Sequence, residues 1–169
     1  MNERDEIFDV VDAENNIIGK ASRHEVHSKS LMHRSVHILV FSPQGNLFLQ
    51  KRSMNKDESP GLWDTSAAGH VGVGEDYFHC AKRELEEELG VVGKPLDEIM
   101  YVSAQPKTLW EHVRVYKCVT DCKIIIDEWE ISEGRFWKLS EIKISMESHP
   151  NIFTPPFRYI FENYVNEFK

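Results

Sequence analysis

The chain has 169 residues, enough for one domain with a sizeable core and too few for two ordinary ones. Hydrophobic residues make up 41% and charged residues 28%, the profile of a soluble globular protein. A formal net charge of −8, with no long basic run to offset it, disfavours a nucleic-acid polymer as partner but not a small anionic ligand, because a bound divalent cation reverses the local field.

The start, MNERDEIFDV, is acidic and lacks the layout of a secretory signal, and no apolar stretch approaches the length of a membrane span. A cytoplasmic location is expected. Cys80, Cys118 and Cys122 form no metal-binding pair and are expected to be buried or half-buried free thiols.

The first predicted element is a hairpin over residues 8–20: Phe8 to Asp12, a turn through Ala13-Glu14-Asn15-Asn16, then Ile17 to Lys20. A polar, histidine-containing stretch runs from Arg23 to Arg34. Strands are expected at Val36–Phe41 and Leu47–Arg52 around the turn Ser42-Pro43-Gln44-Gly45-Asn46. The clearest helix spans Glu75 to Leu89 and ends at Gly90. Later strands are expected at Ile99–Ala104, His112–Val119 and Gly134–Lys138, with a terminal helix from about Pro156 to Glu167. This order predicts an α/β sandwich with a mixed sheet.

On the 75–89 helix, Glu84, Glu87 and Glu88 span about 100° of one face. Phe78, Ala81, Leu85 and Leu89 are expected on the adjacent face against a sheet, with Cys80 on the glutamate side. Carboxylates this close repel one another unless a cation lies among them, and Mg²⁺ or Mn²⁺ suits their oxygens. A glutamate-rich helix is also, by itself, a common solvated surface. The loop before it argues for chemistry: Gly69, Gly72 and Gly74 allow backbone groups to approach a metal or a phosphate closely.

The segment resembles the Nudix box, G-x5-E-x7-R-E-U-x-E-E-x-G-U with U aliphatic. Gly69, Glu75, Arg83, Glu84, Leu85, Glu87, Glu88, Gly90 and Val91 fill every specified position across residues 69–91. The resemblance implies an α/β/α sandwich and one Nudix domain over residues 1–169, with the hairpin as an extension. It implies hydrolysis of a diphosphate linkage in a small molecule, a nucleoside diphosphate derivative being the expected substrate. Glu87 and Glu88 would be the principal Mg²⁺ ligands (Mn²⁺ a substitute), and Glu84 a ligand or the base that activates water. Arg83 and Glu75 would shape the loop, and Gly69 would offer its carbonyl.

A looser resemblance, from about Asp9 to Phe153-Thr154-Pro155, is to the isopentenyl-diphosphate isomerase branch of the superfamily. It rests on Leu31-Met32-His33-Arg34, Gln50-Lys51-Arg52-Ser53, Lys56, Pro60-Gly61-Leu62-Trp63 and Ala68-Gly69-His70. It implies that His33 and His70 match metal histidines, His27 a third offset by one residue, and Glu111 the catalytic or ligand glutamate. Lys51, Arg52 and Lys56 are candidates to hold a diphosphate; as solvated loop charges they need no such role. Trp63 and Trp110 are read as packing residues. The chain departs from the isomerase at Ala68, where a cysteine is expected, and at Asn151, in place of an aromatic. Alanine cannot transfer a proton. The expectation is an isomerase-like scaffold carrying hydrolase machinery, with isomerisation and a catalytically silent nucleotide-sensing module as the alternatives. A homodimer through a sheet edge is compatible with this pattern.

Overall fold

The hydrophobic periodicity resolves into one large sheet with helices on both faces. The computed structural model describes residues 6–167, so the first five residues of the acidic start and the last two lie outside it. The predicted hairpin is a separate two-stranded sheet of β1 (Ile7–Val11) and β2 (Ile17–Ser22). The chain then enters a short helix, α1 (Arg23–Ser28), within the polar, histidine-containing stretch, where no helix was expected. Ser22 and Glu25 close its amino end reciprocally, a capping box too local to register in the hydrophobic pattern.

The main sheet has seven strands. β3 (His33–Phe41) pairs in parallel with β8 (Glu111–Val119), which carries β7 (Asp97–Val102) at its outer side. On its other side β3 meets β6 (Ala67–His70) and, at its end, β4 (Leu47–Arg52), which pairs with β5 (Trp63–Asp64) and β9 (Ile131–Trp137). β3 starts three residues before the expected Val36, because its parallel register with β8 begins at His33↔Glu111. That extension is polar, so hydrophobicity alone could not reveal it.

Each sheet face buries a cluster. Val36, Ile38, Val40 and Ala67 pack under α2 (Tyr77–Leu89) against Ala81, Leu85 and Leu89. Leu39, Val113, Val115 and Trp63 pack on the other face under α4 (Pro155–Glu167), through Phe157, Ile160 and Phe161. A helix absent from the expected order, α3 (Leu139–Ser148), contributes Ile142 to this second cluster. The result is the expected α/β/α sandwich with a mixed sheet.

The 75–89 prediction shifts by two residues. Asp76 caps α2 by accepting from His79 N–H at 2.9 Å, while Glu75 stays in the loop, accepting from Gly72 N–H at 3.0 Å. Gly90 adopts φ +65° at the other end, as its position predicted. One assignment on α2 is reversed: Phe78 is 44% exposed. Cys80 is fully buried on the glutamate side, with Arg83 Nη2 3.6 Å from its sulfur. The buried stripe runs through residues 80, 81, 85, 88 and 89, and Phe78 lies past its edge. Of the other thiols Cys118 is buried and Cys122 is exposed, against expectation, because it follows the end of β8 in a turn. All three cysteines are free, and among the described residues no helix is long and apolar enough to cross a membrane.

Candidate active site

Two clusters of titratable side chains open into one cleft of about 890 Å³, one from α2 and one from the polar ends of β3, β6 and β8. The glutamates of α2 do not share one environment. Glu88 is 6% exposed, Glu84 is largely covered, and Glu87 lies at the rim. Gln50 donates to Glu88 Oε2 at 2.7 Å, and Ala68 N–H approaches the same oxygen at 3.4 Å. Burial and the charge of Glu84 push the Glu88 carboxyl well above the ordinary range, against the Gln50 hydrogen bond. Burial likewise pushes Glu84 up to about 7, opposed by the Arg83 guanidinium.

Arg83 ties the box together. Its Nε and Nη2 donate to the two oxygens of Glu75 at 2.9 and 3.0 Å, and Nη1 reaches Glu84 at 2.7 Å and Glu87 at 3.2 Å. Such a fork fixes three carboxylates with one planar group. Gly69 is required by space: a Cβ there would fall 2.1 Å from Cδ and Oε1 of Glu84. The Glu84 carboxylate therefore lies directly over the Gly69 backbone.

The second cluster lies on the other face of the sheet. His33, 1% exposed, begins β3 opposite Glu111, which begins β8; His70 ends β6. Glu111 Oε1 is 3.1 Å from His70 Nε2 and 3.4 Å from His33 Nε2. His27, on α1, joins them, and one nitrogen from each of His27, His33 and His70 lies within 4.8 Å of the others. The outer nitrogens are held. His27 Nδ1 is 2.7 Å from Glu58 Oε1, His33 Nδ1 is 2.9 Å from the Leu31 carbonyl, and the buried Arg23 approaches His70 Nδ1 at 3.4 Å. Inner His27 Nε2 and His33 Nε2 are buried without a hydrogen-bond partner among the described residues. Burying a polar nitrogen unpaired is costly, and a cation among these lone pairs removes that cost.

Electrostatics in this cluster is set by Glu111. Burial opposes its charge, but the two imidazoles beside it hold the carboxyl well below the ordinary range. Burial pushes His70 down to about 4, against Glu111, so it is neutral near pH 7. For His33, burial is outweighed by Glu111 and the pKa is raised. Neutral His70 beside the ionised Glu111 is a donor pair suited to a divalent cation.

The expected site residues are thus drawn together, with one exception. Arg52 and Lys56 line the cleft. Lys51 does not: its ammonium lies over the Trp63 ring and 3.9 Å from Glu133. The β4–β9 register breaks between Lys51 and Arg52, and only Arg52 reaches the cleft. Trp63 is buried as a packing residue, and Trp110 is half-buried with φ +63° in the turn that delivers Glu111. Ala68 lines the cleft between the clusters, and Asn151 is exposed. Sequence reasoning missed Glu58, Arg23, Glu130, Ser35 and His37, which also line it. For Ser35 and His37 a signal existed: they lie two and four residues beyond His33, on the same face of β3. For Glu58, Arg23 and Glu130 none did, because tertiary contacts alone bring them in.

The family model described as the NUDIX domain matches residues 31–156. The chain belongs to the Nudix family. Over 160 residues it is 35% identical to a protein named isopentenyl-diphosphate Delta-isomerase 2 of Photorhabdus laumondii, covering 92% of this chain and 90% of that protein. Over 128 residues it is 34% identical to the uncharacterised Nudix hydrolase YfcD of Escherichia coli, covering 76% and 71%. The crystal structure of DR0079 from Deinococcus radiodurans matches with a TM-score of 0.77 at 26% identity, covering 85% of this chain and 90% of that one. This Nudix protein is thus similar to relatives named for both chemistries that its sequence resembles.

Proposed function

We propose that this Nudix protein is a Mg²⁺-dependent diphosphohydrolase, cleaving the P–O–P linkage of a small molecule, a nucleoside diphosphate derivative, in the cytoplasm. The observation that carries this reading is the pairing of two buried carboxyls, Glu84 and Glu88, with Glu87 at the rim of the same cleft. Burial and mutual repulsion favour their protonated forms, and a cation among them favours ionisation instead. The fit is good: Glu84, Glu87, Glu88 and the Gly69 carbonyl offer hard oxygens for Mg²⁺, with Mn²⁺ as substitute. His33, His70 and Glu111, joined by His27, would hold a second divalent cation, for which the inner imidazole nitrogens of His27 and His33 are suited. Bound there, a cation supplies charge neutralisation at phosphoryl oxygens and lowers the pKa of a water.

The chain's own residues carry the remaining roles. Arg83 holds Glu84 over Gly69 and keeps Glu75 and Glu87 in register. Glu84, once ionised, accepts the proton of the attacking water; the water oxygen bonds to one phosphorus and the bridging P–O bond breaks. Arg52 and Lys56 add positive charge to the wall that faces the anionic substrate. Holding these groups in place before the reaction supplies most of the acceleration.

A second reading, isomerisation of isopentenyl diphosphate, is favoured by the 35% identity to the Photorhabdus protein. Ala68 speaks against it, since a methyl group lines the cleft where that reading needs a proton carrier. The test is a panel of dinucleoside polyphosphates, nucleotide sugars, nucleoside triphosphates and isopentenyl diphosphate with Mg²⁺ or Mn²⁺. Phosphorus NMR and mass spectrometry follow the products, with Glu87→Gln beside the wild type. Metal-dependent phosphate products that fall by orders of magnitude in Glu87→Gln are expected. Alkene isomerisation without phosphate release would overturn the reading.

A further inference from the structure

Ser35 and His37 have no part in the chemistry above, yet both are buried in the cleft wall. They are 3% and 4% exposed and line the same cavity as the glutamates. On β3 they share the face of His33, and the antiparallel register places Ser35 opposite His70 and His37 opposite Ala68. The small side chain of Ala68 leaves room beside the imidazole.

The hydrogen bonds around His37 assign its tautomer. Thr65 Oγ1 lies 3.3 Å from the Ala67 carbonyl, to which only a hydroxyl proton can donate. That commits the single Thr65 proton, so Thr65 Oγ1, 2.7 Å from His37 Nδ1, accepts there. With Thr65 Oγ1 as acceptor, the uncharged imidazole has its proton on Nδ1 and its lone pair on Nε2, on a ring that lines the cleft. Asp64 supports this arrangement: Oδ1 is 3.9 Å from His37 Nδ1 and accepts from Thr65 N–H at 2.7 Å and Thr154 Oγ1 at 3.0 Å. Two residues away, Ser35 Oγ is buried and has no hydrogen-bond partner among the described residues. The wall thus presents an acceptor at Nε2 and an unused hydroxyl at Ser35. They are separated by one strand repeat, roughly 7 Å along the backbone.

We propose that Ser35 and His37 form a subsite that binds a hydroxyl group on the carbon skeleton attached to the diphosphate. A ligand hydroxyl can accept from Ser35 and donate to His37 Nε2, whereas a hydrocarbon satisfies neither and leaves the buried Ser35 hydroxyl unpaired. The substrate class is accordingly a diphosphate bearing an alcohol or sugar, and not a purely hydrocarbon prenyl diphosphate. The inference rests on the reading of this cleft as a diphosphate site. It goes beyond that reading by naming what the diphosphate carries.

The test compares three ligands with the full-length protein: isopentenyl diphosphate, the tertiary alcohol made by hydrating its alkene, and a ribose-bearing nucleotide sugar. Affinities are measured by calorimetry with Ca²⁺, and turnover separately with Mg²⁺. The alcohol is expected to bind about tenfold or more tightly than the alkene from which it differs by one water. Ser35→Ala and His37→Phe should each collapse that ratio toward one, while His37→Gln, which retains a polar group near the Nε2 position, should keep part of it. Circular dichroism and thermal melts check that each variant folds; if His37→Phe does not, Ser35→Ala and His37→Gln carry the test. An alkene that binds as tightly as the alcohol, no binding by any ligand, or a ratio unchanged in Ser35→Ala and His37→Gln would show that these atoms are satisfied by water alone. Retained preference with no hydrolysis would remove the hydrolase reading and leave the subsite standing; hydrolysis without preference would do the reverse.

Discussion

Replacing Gly69 by alanine isolates the position of one carboxylate. The backbone of Gly69 is not in the left-handed region, so alanine is conformationally allowed there. The added Cβ meets Cδ and Oε1 of Glu84 at 2.1 Å and Cγ at 2.6 Å, where ordinary contacts begin near 3.4 Å. The Glu84 side chain must therefore move by about 1.3 Å, along with its 2.7 Å bond to Arg83. Because Cγ is also too close, rotation of the carboxylate alone cannot relieve the clash. A misplacement of about 1 Å costs on the order of 100-fold in turnover, and overpacking a buried position costs about 1–3 kcal/mol. Gly69→Ala is expected to lower kcat for phosphate release by about 100-fold and Tm by roughly 2–12 °C. Stopped assays at saturating Mg²⁺ and a thermal melt read the two effects. A variant within about threefold of wild-type kcat would refute the claim that Glu84 over Gly69 is a required geometry.

Loss of an imidazole from the second cluster should be visible in metal binding without any substrate. Calorimetry with Mn²⁺ is expected to show two classes of site in the wild type and one in His33→Gln; two unchanged classes would dissociate these histidines from metal binding. Glu58→Gln, which removes the partner of His27 Nδ1, should weaken the second class by about 10–100-fold, the usual effect of an orienting partner. The raised pKa of Glu84 gives a pH dependence whose sign is fixed. Between its unfolded value of 4.5 and its folded value of about 7 the folded state holds the extra proton, so metal-free stability falls as pH rises through that window. In chelator, Tm should decline from about pH 5 to about pH 8, with a shallower decline in Glu84→Gln; Mg²⁺ should raise Tm more at the alkaline end. Equal slopes in the two proteins would exclude Glu84 as the source.

Much of the glutamate site is legible in the chain because it is local. Spacing on one helix, a glycine-rich loop before it and a terminating glycine are all read within residues 69–91, and Glu84, Glu87 and Glu88 do reach one cleft. Even there, periodicity could not divide their environments, and Glu88 is buried while Glu87 is not. The histidine cluster was legible only through family resemblance, since its residues come from α1, β3, β6 and β8. Ser35 and His37 were overlooked because a strand's alternation sets which side chains share a face, but only its neighbours set which face is the cleft; Lys51 was misplaced because a break in the β4–β9 register, set by pairing, separates it from Arg52.

By itself the sequence determined the α/β/α class, the glutamate helix with its loop, and the family, because these depend on spacings of a few residues and on hydrophobic period. The tertiary structure decided the rest. The parallel register of β3 on β8 aligns His33 with Glu111, and the antiparallel register with β6 brings His70 beside them. A hydrogen bond to Thr65 ties down Nδ1 of His37 in the cleft wall. Those contacts join residues far apart in the chain, and their free energy depends on burial and pairing that no local pattern encodes.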